Sequence, residues 1–450
     1  VEQTFRYPFP SEVVKTCDKQ TLRLATFCLG EEEHPFFFEG ELRDAKKTAD
    51  LLRALMTVVR SRFHIPAAML QRILAESDPV VTANDDRLRF EGFSACCGAY
   101  ARLDLLEHSF AGKVRGRGTT NVDFNQPMLA ALSRIRIKDK VGLAVGADKV
   151  VLKQRDGDVV EKKVALPIRW MKGFVEVQVV QSRMEQMHRI EGIQAHRFLR
   201  SLPRVKTNRR ASYIVAAGNS LRLSQLEAVD GVRVGGLERL TVLEGLARKA
   251  MSLDVYRDPL TDASGWVLTF DDCRFTLVIS PEVWRGFSGE GQALSAVARR
   301  SPEALATVRA QLRWQSIVEP DRLAKATKWS AKHIDSALST LGTRGLVGYD
   351  LSEQAWFHRE MPFDVSEVEK LQPRLIAARK LIDGGKVKIE RQTKAEAEVY
   401  VESREIRHRV VIGIQDGATK CTCPWFNKHG RTRGPCKHIL ASQIVLEEQQ

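Results

Sequence analysis

Cys421-Thr422-Cys423-Pro424-Trp425, then Gly434-Pro435-Cys436-Lys437-His438-Ile439-Leu440-Ala441, form the stretch in which residue identity alone dictates chemistry. Twelve residues separate Cys423 from Cys436, so three thiols and one imidazole stand in two close pairs. Zn²⁺ accepts thiolate sulfur and imidazole nitrogen in a tetrahedral shell. Four protein ligands would close that shell and leave no position for water or substrate, which implies a structural zinc and not a catalytic one.

The flanking residues predict how the ligands are carried. Ala395, Ala397, Val399 and Val401 alternate as in a strand, His408 to Ile414 reads as its partner, and Gln415-Asp416-Gly417 turns the chain towards Cys421. Pro435 pre-sets a helical start, and thiolate is favoured in a first turn where amide N–H groups lack partners. Ile439, Leu440, Ile444 and Leu446 give that helix an apolar face. Residues 381–450 are therefore expected to form a ββα-type zinc module dependent on one Zn²⁺, because metal binding contributes on the order of 10–16 kcal/mol to the folding of such small units.

The Cys-x-Cys and Cys-x-His pairs, with Cys423-Pro424-Trp425 and the Gly434 to Ala441 run, resemble the SWIM-type zinc finger. The resemblance implies that Cys421, Cys423, Cys436 and His438 are the zinc ligands and that the module binds DNA or protein. A SWIM finger closing a long chain of unfamiliar domains is also similar to bacterial SWIM proteins found in gene neighbourhoods with MoxR-type AAA+ ATPases and von Willebrand factor A proteins. That likeness implies an adaptor role beside such an ATPase.

From Lys420 to His438 there are five cations, Lys420, Lys428, Arg431, Arg433 and Lys437, and no acid. Trp425, Phe426 and His429 lie among them, a mixture suited to phosphate contact and base stacking. Lys428, Arg431, Arg433 and Lys437 are the expected nucleic-acid contacts. Trp425 has the competing role of covering the zinc core.

Residues 301–363 are the second informative stretch. Leu305, Val308 and Leu312 mark one helix and Asp321 to Thr327 a second. A third, with Ser330 at its cap position, places Ile334, Ala337, Leu338 and Leu341 on one face. A strand pair follows at Leu346 to Tyr349 and Ala355 to His358. Three helices and a hairpin resemble the winged-helix family. The resemblance implies that the third helix meets nucleic acid through Lys332 and His333, with Ser336 and Arg344 close by. Asp335 on the same face and Asp350 and Glu353 at the hairpin tip oppose a phosphate-gripping wing.

Upstream, residues 1–80 read as a mainly helical subdomain, with a helix from Leu42 to Phe63 and a short one after Pro66. Residues 81–300 read as α+β. Strands are expected at Val141 to Val145 and in a hairpin turning at Asp156-Gly157, and a helix from Phe174 to Leu202. His188, Glu191 and His196 in that helix lack convergent metal spacing. Further basic clusters stand at Lys113 to Arg117 and Arg204 to Arg210, and Gly286 to Gly291 reads as a hinge. Cys96 and Cys97 read as buried or half-buried thiols.

The chain as a whole is thus an α+β multidomain protein of 450 residues, 43% hydrophobic and 28% charged, with a net charge of +14 that favours a polyanion or an acidic partner. Eight cysteines are too few for a disulfide framework. Without a long apolar run or a leader-like start, the expectation is a cytoplasmic protein, with nucleoid association as its variant, that has no membrane role and no evident small-molecule substrate. No Gly-x-Ser-x-Gly, His-Glu-x-x-His or P-loop is present. A non-enzymatic nucleic-acid binder, with DNA favoured over RNA, is the first reading and a protein adaptor the second. A nuclease of dispersed carboxylates is the remaining alternative.

Overall fold

The computed structural model describes residues 12–16, 19–24, 36–61, 79–114, 117–121, 126–146, 166, 168–204, 211–298, 302–361, 370, 372–414, 417–430 and 432–449. Its centre is an eight-stranded antiparallel sheet. Edge to edge the strands are Glu185–Glu191, Ser252–Arg257, Ser264–Thr269, Cys273–Ile279, Ala99–Leu106, Arg87–Phe93, Val80–Ala83 and Gly118–Asn121. Arg87–Phe93 is buried along its whole length, so both faces of the sheet are covered at that strand, whereas edge strand Glu185–Glu191 is largely exposed. Helix Ala45–Arg60 packs on this sheet through Ala49, Leu52, Leu55 and Val59. Helix Ile168–Gln181 adds Trp170 and Phe174 to the same core, edge-on to Phe93.

The start of the chain corrects the expected mainly helical subdomain. Glu12–Thr16, Lys19–Leu24 and Phe36–Leu42 are strands of a five-stranded sheet completed by Val141–Gly146 and Phe110–Val114. Aromatic and β-branched residues favour strands when a partner is present. Phe38 finds one in Phe110, with ring centroids 4.6 Å apart. The expected helix from Leu42 to Phe63 is present as Ala45–Arg60. The helix after Pro66 and the hairpin across Asp156-Gly157 fall outside the described residues.

The single helix expected from Phe174 to Leu202 is instead helix Ile168–Gln181, edge strand Glu185–Glu191 and helix Gly192–Ser201. Pairing of Glu185–Glu191 with Ser252–Arg257 supplies backbone partners that no local pattern announces. His188 therefore lies on a strand and His196 on a helix.

Residues 302–358 contain three helices, Pro302–Arg309, Pro320–Thr327 and Ala331–Thr343, followed by the antiparallel pair Val347–Asp350 and Ala355–His358. Their own core includes Leu305, Val308, Leu312, Leu323, Ile334, Leu338, Leu341 and Trp356. The hairpin does not project into solvent. Asp350 is fully buried; it accepts from Arg89 Nη2 at 2.8 Å and pairs ionically with Arg102, whose Nη2 lies 2.8 Å away, both on the central sheet. Phe357 lies beneath the Arg89 guanidinium, 4.0 Å from it.

Gly286 to Gly291 is packed, in contrast to the expected hinge. Phe287 is buried, and a side chain on Gly286 would meet the Cys96 carbonyl at 2.3 Å. Among the described residues no helix is long and apolar enough to cross a membrane.

Candidate metal centre

The last unit is a four-stranded antiparallel sheet, Val387–Gln392, Glu396–Ser403, Ile406–Gly413 and Thr419–Cys421, with helices Pro424–His429 and Lys437–Glu448. Alternation buries Ala397, Val399 and Val401 on the face towards the second helix. Cys421 ends the last strand, and Cys423 caps the first short helix, its sulfur accepting from Phe426 N–H at 3.4 Å. Cys436 caps the final helix in the same way, accepting from Ile439 N–H at 3.5 Å. His438 lies in that helix's first turn. Both pairs thus present sulfur to unpaired amides at a helix start, an arrangement that stabilises thiolate.

One ligand atom from each of Cys421, Cys423, Cys436 and His438 lies within 4.8 Å of the others, and all four residues are buried. Cys421 Sγ is 3.8 Å from His438 Nδ1. The residues fit a zinc ion: three thiols and one imidazole nitrogen converge with no carboxylate among them. Hydrogen bonding with the Cys421 thiol is the main influence that brings the Cys436 thiol down to about 4, against the effect of burial, with further help from His438 and the Ile439 amide. The same pairing, together with burial, pushes Cys421 upward. Zn²⁺ takes thiolates, so its binding here would displace the protons that remain on the sulfurs. His408 on strand Ile406–Gly413 stacks on the His438 ring at 4.3 Å.

Arg374, on helix Pro373–Asp383, locks the finger loop to the rest of the molecule. It donates to the carbonyls of Arg433 at 2.7 Å, Pro435 at 2.9 Å and Glu290 at 2.8 Å. Its guanidinium also lies 4.8 Å from the Trp425 ring centre. Gly434 has φ of +74°, and a side chain there would meet the Gly291 carbonyl at 1.9 Å. The segment expected to be a hinge is therefore the seat of the finger loop. Nothing in the sequence around Arg374 marks it, since its partners are main-chain carbonyls.

The chain carries a SWIM zinc finger: that family matches residues 408–442 and spans all four ligands. No curated protein matches the chain. Among solved structures, the proliferating cellular nuclear antigen of Entamoeba histolytica is 9% identical, with a TM-score of 0.37, covering 55% of this chain and 99% of its own. The PCNA2-PCNA3 complex of Sulfolobus tokodaii is 8% identical with a TM-score of 0.34, covering 54% and 99%.

The expected nucleic-acid contacts are distributed unevenly. Lys428 is exposed on helix Pro424–His429, whereas Lys437 is half-buried and donates to Ser403 Oγ at 2.8 Å. Arg433 is half-buried beside Arg374, and Arg431 lies outside the described residues. Lys332 and His333 are exposed in the first turn of helix Ala331–Thr343, while Arg344 is half-buried at its far end. Ser330 occupies the cap position as expected, yet its hydroxyl pairs with His333 Nδ1 at 2.7 Å and not with a backbone amide. Thr340 to Thr343 are buried, so only the start of this helix faces solvent. Of the other basic clusters, Arg117 pairs with Asp85 and Arg204 with Glu244, while Arg115, Lys206, Arg209 and Arg210 lie outside the described residues.

Proposed function

We propose that this is a zinc-dependent, non-enzymatic nucleic-acid-binding protein, with DNA as the favoured ligand. The structural zinc would fix the finger while the three-helix and hairpin unit acts as a winged helix docked beside it. One observation carries this reading: Lys332 Nζ donates to the Ile414 carbonyl at 3.2 Å. That contact sets the exposed start of helix Ala331–Thr343 against the finger sheet, so Lys332 and His333 belong to the same neighbourhood as the finger. Trp329 stacks obliquely on His333 at 5.2 Å, and Trp425 does so on His429 at 5.0 Å. The first turn of helix Ala331–Thr343 and the short helix Pro424–His429 thus each combine an aromatic pair with lysine, suited to backbone and base contact. The buried hairpin limits the winged helix to contact through this first turn.

The test is a salt-titrated affinity measurement with duplex DNA and RNA, on zinc-loaded and zinc-stripped protein. Lys428→Ala and Lys332→Ala should each weaken binding and reduce the salt slope by about one. Slopes that stay unchanged in both variants, or equal binding with and without zinc, would overturn the reading.

A protein-adaptor function is the second reading, supported by Leu226 at 78% and Val229 at 95% exposure in one loop. Exposed apolar residues grouped in this way suit protein contact. Leu226→Asp with Val229→Asp should then abolish association with a purified MoxR-type ATPase and leave nucleic-acid affinity intact.

A further inference from the structure

Helices Gly192–Ser201 and Thr241–Ala247 pack side by side and leave an open cleft of about 670 Å³, lined by His196, Arg200, Thr241, Glu244, Gly245 and Arg248. Every side chain in that lining is polar, so the cleft offers little to an apolar ligand. Its one acid, Glu244, is already engaged by Arg204 at 3.1 Å, and its backbone carbonyl lies 3.3 Å from His196 Nδ1. Arg200 and Arg248 are both exposed, as are Arg197 and Lys249 on the same two segments. With Glu244 engaged by Arg204, the lining is left cationic through Arg200 and Arg248.

Gly245 is the unexpected residue. It lies inside a helix, where glycine costs roughly 0.5–1 kcal/mol relative to alanine. A side chain there would meet nothing within 4 Å, so packing does not require glycine. Gly245 is exposed in the lining of the cleft, so helix backbone reaches the surface there beside the side chains of the arginines. Close approach of a bulky anion to backbone is a recurrent use of glycine.

We propose that this cleft is a second phosphate-binding site, one that takes the sugar-phosphate backbone of a nucleic acid through Arg200 and Arg248. This rests on the nucleic-acid reading above and places a contact well away in sequence from the finger. Guanidinium suits phosphate because its planar fork gives two parallel N–H donors.

The test uses the full-length, zinc-loaded chain and a salt-titrated binding assay with duplex DNA. Arg200→Glu with Arg248→Glu should lower affinity on the order of tenfold or more and reduce the salt slope by about two, since each lost phosphate contact removes about 0.9. Arg222→Glu with Lys138→Glu changes net charge equally at exposed sites elsewhere and should do far less. Gly245→Glu keeps both arginines and improves helix propensity, so it should fold and still weaken binding, whereas Gly245→Gln should weaken it less. Wild-type binding with no loss in either cleft variant would overturn the cleft while leaving the finger-centred reading in place. No wild-type binding to any nucleic acid would overturn that reading itself. An equal loss of affinity for polyglutamate would assign the cleft to acidic proteins and overturn the phosphate proposal.

Discussion

At the residue scale, Glu176 shows how the seat of the finger is tuned. It is fully buried on helix Ile168–Gln181 and accepts from the amide of Gln292 at 2.9 Å and that of Ala293. Burial, reinforced by the nearby Glu290 carboxylate, pushes its pKa from 4.5 up to about 8, and Arg374 offsets only part of this. The folded protein therefore holds this proton through a window in which the unfolded chain has released it. Protons bound in the native state and not in the unfolded one make stability fall as pH rises, here between about 4.5 and 8. Glu176→Gln removes the titration while keeping an acceptor for the two amides. Its urea midpoint should decline less than that of wild type across this window, and parallel declines would show that Glu176 is already ionised in the folded protein.

At the scale of elements, the docked hairpin rests on buried charge. Burial disfavours ionisation of Asp350, but the guanidiniums of Arg102, Arg89, Arg274 and Arg87 outweigh it and hold the carboxyl well below its usual range. Arg102 also donates to the Tyr349 carbonyl at 2.8 Å, and Arg359 bonds Glu91 at 2.5 Å. Removing one partner from such a buried set costs about 3–5 kcal/mol, because the remaining charges are left without compensation. Asp350→Asn should therefore destabilise strongly in urea unfolding. Losing the exposed Lys386–Glu402 pair should cost under about 1 kcal/mol. Equal effects of the two changes would remove the case for ionic docking. The same site shows where sequence reading stops. The helices of 302–343 and the hairpin were legible, because their hydrophobic periods are local. The fate of Asp350 was not, because Arg89 lies 261 positions away. The acid that counted against a DNA-gripping wing is in fact an internal anchor. The split of the helix expected from Phe174 to Leu202 and the strands before residue 43 escaped for a similar reason: their pairing partners are distant segments, such as Val141–Gly146 for Lys19–Leu24. The four ligands needed no tertiary information, since their spacing already carried the chemistry.

At the scale of the molecule, the finger is both a zinc module and part of the main core. Helix Lys437–Glu448 sends Ile439 and Leu446 into the finger's cluster, while Leu440, Ala441 and Ile444 join the large core beneath the central sheet. Gln443 accepts from Ser295 Oγ at 3.0 Å on the other side. A ββα unit cut out at residue 381 would expose that second face, so zinc alone does not account for the stability of the finger. Conversely, the metal must stabilise more than the finger. His438 and Cys436 fix the first turn of the shared helix, and Arg374 holds the loop before it to Glu290, whose neighbours bond Glu176. Removing zinc from the intact chain should first free Thr419–Cys421 and Pro424–His429 and then loosen Leu294–Ala298 and Pro373–Asp383. The eight-stranded sheet, with its own buried core, should remain closed. Amide hydrogen exchange with and without a strong chelator reads this directly, because local opening appears as lost protection in contiguous units. Faster exchange confined to residues 419–448 would mean that the finger is energetically separate from the body. Faster exchange that includes residues 294–298 and 373–383 would mean that metal occupancy is coupled through the shared helix to the seat on which the finger rests.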